Sequence, residues 1–172
     1  RQKIQQTEID SAVKFRLGFP MGIFELADFT GLDVIHKATV EMHTRDKKVI
    51  LPHPTIEQLF NEKKLGQKSG EGFYKYSDDK YERIPLSEEL AQKCNPIQII
   101  GNILNNAAWL VPNNASDIDE IEKAANLGLG LKKPLFETAK EIGMQKIVDE
   151  LNQLSKKYGT FYEPDSLLLS MC

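Results

Sequence analysis

The sequence predicts an all-α fold built as two tandem helical repeats, and three observations carry that prediction. Apolar residues recur at steps of three and four (Ile9, Val13; Val34, Ile35, Ala38, Met42; Ile99, Ile103, Ala107, Leu110; Ile147, Leu151, Leu154), which gathers them on one side of a 3.6-residue helix. No segment sustains the period-two alternation of a half-buried strand. Segments of the first half also recur in the second, with prolines and glycines at matching places.

The first expected helix follows Thr7, which with Asp10 reads as a capping box; Ser116 and Asp119 read as its counterpart. With these aligned, Ile9 and Asp10 meet Ile118 and Asp119, and Lys14 meets Lys123. After a one-residue shift, Leu17 and Gly18 meet Leu127 and Gly128. A second helix starts after Pro20, as its counterpart starts after Pro134, where proline's fixed φ and missing N–H cost nothing. IFELADFTGLDVI at 23–35 then matches LFETAKEIGMQKI at 135–147, pairing Phe24, Glu25, Ala27 and Gly31 with Phe136, Glu137, Ala139 and Gly143. PTIEQLF at 54–60 is set against PDSLLLSM at 164–171. Gly18, Gly31, Gly128, Gly143 and Gly159 are expected at helix ends, where glycine accepts a left-handed conformation. The domains expected are a first repeat over 1–76, a charged linker over 77–94 with a helical turn or two, and a second repeat over 95–172.

Composition narrows the function. Of the 172 residues, 41% are apolar, enough for a core, and the net charge of −3 with mixed signs supplies no basic stripe for a phosphate backbone, so nucleic acid is not an expected partner. No stretch has the roughly 18 uninterrupted apolar residues of a membrane helix, and RQKIQQ is not a signal peptide, so no membrane is expected and the compartment expected is the cytoplasm. Cys94, in a polar linker, and Cys172 are expected to be reduced thiols. The start at Arg1 and the abrupt end on SLLLSMC read as a chain cut at both ends.

Residue chemistry is sparse. LGQKSGEGFYKY at 65–76 is glycine-dense, but Lys68 and Ser69 precede Gly70, the reverse of a Walker loop, and neither it nor GLGLKK fits a dinucleotide fingerprint. Two readings remain for this loop. In one, Gly70 and Gly72 make turns while Phe73 and Tyr74 return to the core; in the other, Lys68 and nearby N–H groups contact an anion. His36 and His43 share a helix face without metal-ligand spacing, so no metal is expected; they and His53 read as surface or capping residues, and Glu41 or Asp46 would have to orient one acting as a base. Glu25 and Asp28 read chiefly as acids answering the positive end of a helix. Trp109 reads as a core or interface aromatic.

GFPMGIFELADFTGLD at 18–33 followed by LGQKSGEGFYKY resembles the C-terminal domain of 3-hydroxyacyl-CoA dehydrogenases, with its G-x-P-M-G-P-F-E-L-x-D-x-x-G-L-D and later G-x-K-T-G-x-G-F-Y. The resemblance covers nearly the whole chain, because a duplicated form of this domain occurs in longer enzymes of the family, some fused to an enoyl-CoA hydratase. It implies the NAD-dependent oxidation of 3-hydroxyacyl-CoA to 3-ketoacyl-CoA in fatty acid β-oxidation. The catalytic histidine, its glutamate and the NAD would sit on an N-terminal Rossmann domain outside these residues. No catalytic residue is therefore expected here. The acyl-CoA substrate would meet Pro20, Met21, Gly22 and Leu26, and Lys68 is a further candidate contact.

The departures from the family pattern matter too. The first repeat starts after the family's opening helix, and its substrate-positioning asparagine is not among these residues. In the second repeat IIGNILNNAAWL aligns with that helix, with Asn105 and Ala107 on its N-E-A, and Ile97 falls at the catalytic asparagine's position. The resemblance thus implies a substrate-binding and dimerisation portion, inactive as a fragment, whose partners are the Rossmann domain and, in a homodimer, a second copy. Single-copy relatives dimerise through this domain, so the second repeat would stand in for that second copy. A free-standing helical interaction module without catalysis is the alternative.

Overall fold

The computed structural model describes residues 4–76, 85–131 and 133–172. Among them it contains α-helices and short 3-10 turns, with only isolated bridges joining Glu71 to Gly66 and Lys75 in place of strands. No helix among the described residues is long and apolar enough to cross a membrane. The chain forms two compact units: residues 1–11 with 21–94, and 12–20 with 95–172. The second unit therefore takes in Ala12–Pro20 as well as the expected second repeat. Residues 77–84 of the expected linker lie outside the described residues.

Helix α1 (Gln6–Arg16) runs from one unit into the other. Its start differs from expectation: Thr7 is already helical, and the Gln5 N–H donates to the Glu8 carboxylate instead (2.8 Å). In the first unit α2 (Ile23–Thr30) turns directly into α3 (Leu32–Arg45) at Gly31, whose φ of 100° an L side chain rarely adopts. Helix α3 packs on α4 (Pro54–Asn61) through Ile35, His36, Thr39 and His43, which are half-buried. Val34, Ala38 and Met42, expected on the apolar face, are exposed, because the buried side of α3 is one step round the helix. Helix α5 (Glu88–Ala91), capped by Ser87, ends the unit. Cys94 just beyond it is buried, so it is not part of a polar linker.

In the second unit α6 (Ile97–Trp109) lies against α8 (Leu135–Ile142), α9 (Met144–Tyr158) and α10 (Ser166–Ser170), and α7 (Ile118–Leu129) against α8. Gly101 lets α6 approach α9 closely, since an added methyl would lie 3.2 Å from Ile147. Ile100, Leu104, Leu135, Ile147, Leu151 and Leu168 are almost fully buried, each worth about 1.5–3 kcal/mol by transfer from water. Trp109 is not in the core: it is 54% exposed at the end of α6. Asp117, not Ser116, caps α7 by accepting from the Glu120 N–H (2.8 Å). The left-handed residue after α7 is Gly130 (φ 64°), while Gly128 is inside the helix.

The two halves share local geometry at a spacing of 112 residues. Gly18 and Gly130 have φ of 76° and 64°, and Gly31 and Gly143 have φ of 100° and 105°. His53 and Asp165 each cap the following helix by accepting an N–H two residues on, from Thr55 and Leu167. This spacing agrees with the pairing of 23–35 and 135–147 but corrects the outer segments: Asp10 corresponds to Glu122 rather than Asp119, and Pro54 to Ser166 rather than Pro164.

Urea unfolding of two variants checks these helix ends. Gly128→Ala adds a methyl with nothing within 4 Å inside a helix, and should raise stability by about 0.5–1 kcal/mol. Gly143→Ala forces an L side chain to positive φ and should lower it by about 1–2 kcal/mol; the opposite order would contradict the assignment.

Candidate functional site

Helix α2 begins at Gly22, which has no side chain to cap it. The acceptor comes from α1: the Asp10 carboxylate takes the N–H of Phe24 (2.9 Å) and of Glu25 (3.0 Å). Glu25 in turn accepts from the Gly22 N–H (3.1 Å). A Cβ on Gly22 would overlap the Asp10 carboxyl, so glycine is what admits this side chain. The Tyr74 hydroxyl donates to the same carboxylate (2.9 Å). Burial pushes the Asp10 carboxyl above its ordinary 3.8, against the opposing pull of the two N–H groups and the phenol. Burial, and then the neighbouring Asp10 charge, pushes the Tyr74 hydroxyl far up, so it stays protonated and remains a donor.

Two turns along, Asp28 anchors the glycine-dense loop. Its carboxylate accepts from the N–H groups of Phe73 and Tyr74 (both 2.9 Å) and from the Tyr76 hydroxyl (2.8 Å). A Cβ on Gly72 would overlap this carboxylate, and one on Gly66 would overlap the Asp28 backbone. Phe73 meets Phe24 edge to face, with ring centroids 4.6 Å apart. Both readings of the loop thus hold a part of the answer: it makes turns, with Gly70 at φ 76°, and its N–H groups bind an anion, which is the chain's own Asp28. Glu25 answers its helix's positive end as expected, whereas Asp28 serves the loop.

The remaining expected residues fall as follows. Met21 is half-buried and Gly22 buried; Leu26 faces outward at 43% exposure, with Phe29 one turn on at 61%. Pro20 belongs to the second unit, beside Gly130. Lys68 is ion-paired with Asp33, and its ammonium holds that carboxyl below the usual range. His36 pairs with Glu57 (2.6 Å) and stacks on Phe60, so neither Glu41 nor Asp46 orients it; Glu41 pairs with Arg45. His43 contacts the Val49 carbonyl (2.5 Å), and His53 caps α4. Asn105 is buried and bridges the Glu163 carbonyl and the Asp165 N–H (2.8 and 2.7 Å), tying α6 to the start of α10. No group of three or more metal-ligating residues occurs among the described residues.

The second unit repeats half of this arrangement. Glu122 on α7 accepts from the N–H groups of Leu135 and Phe136 (2.5 and 2.7 Å), as Asp10 does at α2. At the position of Asp28 stands Lys140, which cannot accept from a loop. Sequence reasoning missed Asp10 as the cap of α2, and with it Tyr74, Tyr76 and Glu122. One signal was available: a glycine where a serine or aspartate cap is usual implies a cap from elsewhere.

This arrangement is found in a known class. Residues 1–76 match the family "3-hydroxyacyl-CoA dehydrogenase, C-terminal domain". Over 78 residues the chain is 42% identical to the mitochondrial hydroxyacyl-coenzyme A dehydrogenases of Rattus norvegicus and Homo sapiens, covering 44% of this chain and 25% of each relative. The chain thus spans about a quarter of the length of these curated relatives. In fold, 96% of it superposes on 54% of a 3-hydroxybutyryl-CoA dehydrogenase from Escherichia coli K12, with a TM-score of 0.76 at 19% identity. It also covers 42% of the dehydrogenase part of multifunctional enzyme 1 from C. elegans, with a TM-score of 0.65 at 22% identity. The fold is therefore that of the helical part of these dehydrogenases, and residues 1–76 belong to the 3-hydroxyacyl-CoA dehydrogenase C-terminal domain family.

The raised Asp10 carboxyl has a signed consequence. The folded chain keeps this proton at pH values where the unfolded chain has released it, so Asp10 supports the fold most below its unfolded value of 3.8. That support is lost as pH rises through the higher folded value. Stability of the native sequence relative to Asp10→Asn, measured by urea unfolding between roughly pH 3 and pH 7, should therefore decline with rising pH; a difference that grows would contradict the burial argument.

Proposed function

We propose that these residues are the acyl-CoA-binding helical portion of an NAD-dependent 3-hydroxyacyl-CoA dehydrogenase, the enzyme that oxidises 3-hydroxyacyl-CoA to 3-ketoacyl-CoA in β-oxidation. The observation that carries the reading is the family match over 1–76, whose signature residues are the ones that build the Asp10 and Asp28 anchors. These anchors hold α2 so that Leu26 and Phe29 stand outward as an apolar face, a surface suited to an acyl chain and to excluding water from a reacting carbon. Met21 and Gly22 lead into that helix, Pro20 precedes them, and Lys68 supplies a cation for an anionic group, although Asp33 already engages it.

NAD does not fit the described residues. Its pyrophosphate is held by a strand-to-helix glycine turn with free N–H groups, and here the glycine loop's N–H groups are taken by Asp28, whose charge would repel a phosphate. In this reading NAD and the hydride chemistry belong to a Rossmann domain with which this portion acts. The shared geometry at a spacing of 112 residues supports a duplication, with the half that retains Asp28 and its loop as the functional one. The reading also includes pairing of two copies through the helical portion and a cytoplasmic location, although the curated relatives it matches most are named mitochondrial.

In the full polypeptide carrying these residues together with a Rossmann domain, Leu26→Asp should raise KM for a medium-chain 3-hydroxyacyl-CoA by about tenfold, because a charge faces the chain. The 172 residues alone should show no dehydrogenase activity. Unchanged KM in the variant would remove Leu26 from the substrate surface.

A further inference from the structure

Around Asp10 the corner between α1 and α2 is closed. The Tyr74 hydroxyl lies on its carboxylate, and the Ser87 N–H lies on the Ser11 hydroxyl (3.2 Å). Asp10 and Ser11 are fully buried and Gly22 is buried. The corner between α7 and α8 has the same cap and no such cover. Its matching residues, Glu122, Lys123 and Pro134, are half-buried, exposed and exposed. With Asn126 and Leu127 they line an open cleft of about 270 Å³. Each Glu122 oxygen receives one N–H, whereas Asp10 Oδ2 receives both an N–H and a phenol, so Glu122 keeps acceptor capacity beside the cleft. Leu127 stands 77% exposed at its edge, the largest exposure of any bulky apolar residue described.

We propose that this cleft is a docking site for a tyrosine presented by a glycine-turned segment of a partner polypeptide, its hydroxyl donating to Glu122 and its ring lying on Leu127 and Pro134. The chemistry is the one the first unit uses on itself at Asp10. Lys140 at the position of Asp28 removes the grip on the segment's backbone, so recognition rests on the tyrosine side chain, and the contact is a reversible one rather than part of the fold.

The test titrates the isotope-labelled 172-residue chain with acetyl-Gly-Glu-Gly-Phe-Tyr-Lys-Tyr-amide, the sequence of residues 70–76, and follows backbone amide shifts. Saturable shifts are expected at Leu135 and Phe136, which donate to Glu122. The same peptide with phenylalanine for its first tyrosine should bind about fivefold more weakly, the loss of one net hydrogen bond. Leu127→Lys, at an exposed position that does not threaten folding, should abolish the shifts, and Glu122→Gln should weaken them. Three results would each overturn the proposal: no saturable shifts, equal binding of the phenylalanine peptide, or shifts confined to the amides of Phe24, Glu25, Phe73 and Tyr74, which would place the peptide at Asp10 and Asp28 instead.

Discussion

A buried carboxylate must find hydrogen-bond donors, and in the first unit that requirement sets the structure. Asp10 and Asp28 are almost wholly removed from water, and between them they take four backbone N–H groups and two phenol hydroxyls. An unpaired charge there would cost several kcal/mol. The helix start at Phe24 and the loop at Phe73 therefore have to be where the carboxylates are, and the glycines at 22, 66 and 72 are the residues that leave room for them. The family signature is, in physical terms, the description of two anion cradles whose anions are internal.

The two units solve the burial problem in different ways. Among the described residues the first buries little bulky hydrocarbon, with Leu32, Ala91 and Cys94 set beside Asp10, Ser11, Glu25 and Asp28. The second buries a run of Ile, Leu, Val, Met and Phe with only Asn105 and Thr138 as buried polar residues. Apolar packing is tolerant of detail, whereas a hydrogen-bonded carboxylate fixes a geometry and loses much when a partner is removed. The first unit is accordingly the one whose outward face, with Leu26 and Phe29, is positioned closely enough to meet a substrate. In the second unit Lys140 has replaced the loop's anchor while Glu122 retains the helix cap, which separates the part of the device that serves the helix from the part that serves the loop.

Much of this was legible in the sequence. The helical class follows from periodicity, and the turn between α2 and α3 follows from Gly31, which only a special backbone conformation explains. The pairing of Phe24, Glu25, Ala27 and Gly31 with their counterparts was read in register because helix, glycine and helix leave no slack. The outer segments were set wrongly because Thr7 and Ser116 look like local caps, while the caps in use are Gln5 with Glu8, and Asp117. Asp10 was assigned to its own helix, yet it serves one that begins a dozen residues later, and nothing local in the chain announces a contact across 14 residues or, for Tyr74, across 64. Periodicity also misjudged α3, since Val34, Ala38 and Met42 share a face that faces outward. The residues expected to touch substrate came from the resemblance, and the structure adds the physical reason for their setting: Gly22 has to be glycine for Asp10, and Leu26 stands outward because Glu25 and Asp28 face inward.

Native-state hydrogen exchange of the Phe73 and Tyr74 amides tests the central claim most directly. If the Asp28 carboxylate holds the loop, both amides exchange far more slowly than in a free peptide, and in Asp28→Asn they lose that protection while Leu135 and Phe136 keep theirs. Free-peptide exchange at Phe73 and Tyr74 in the native sequence, or undiminished protection in the variant, would show that the loop is held by something other than this carboxylate.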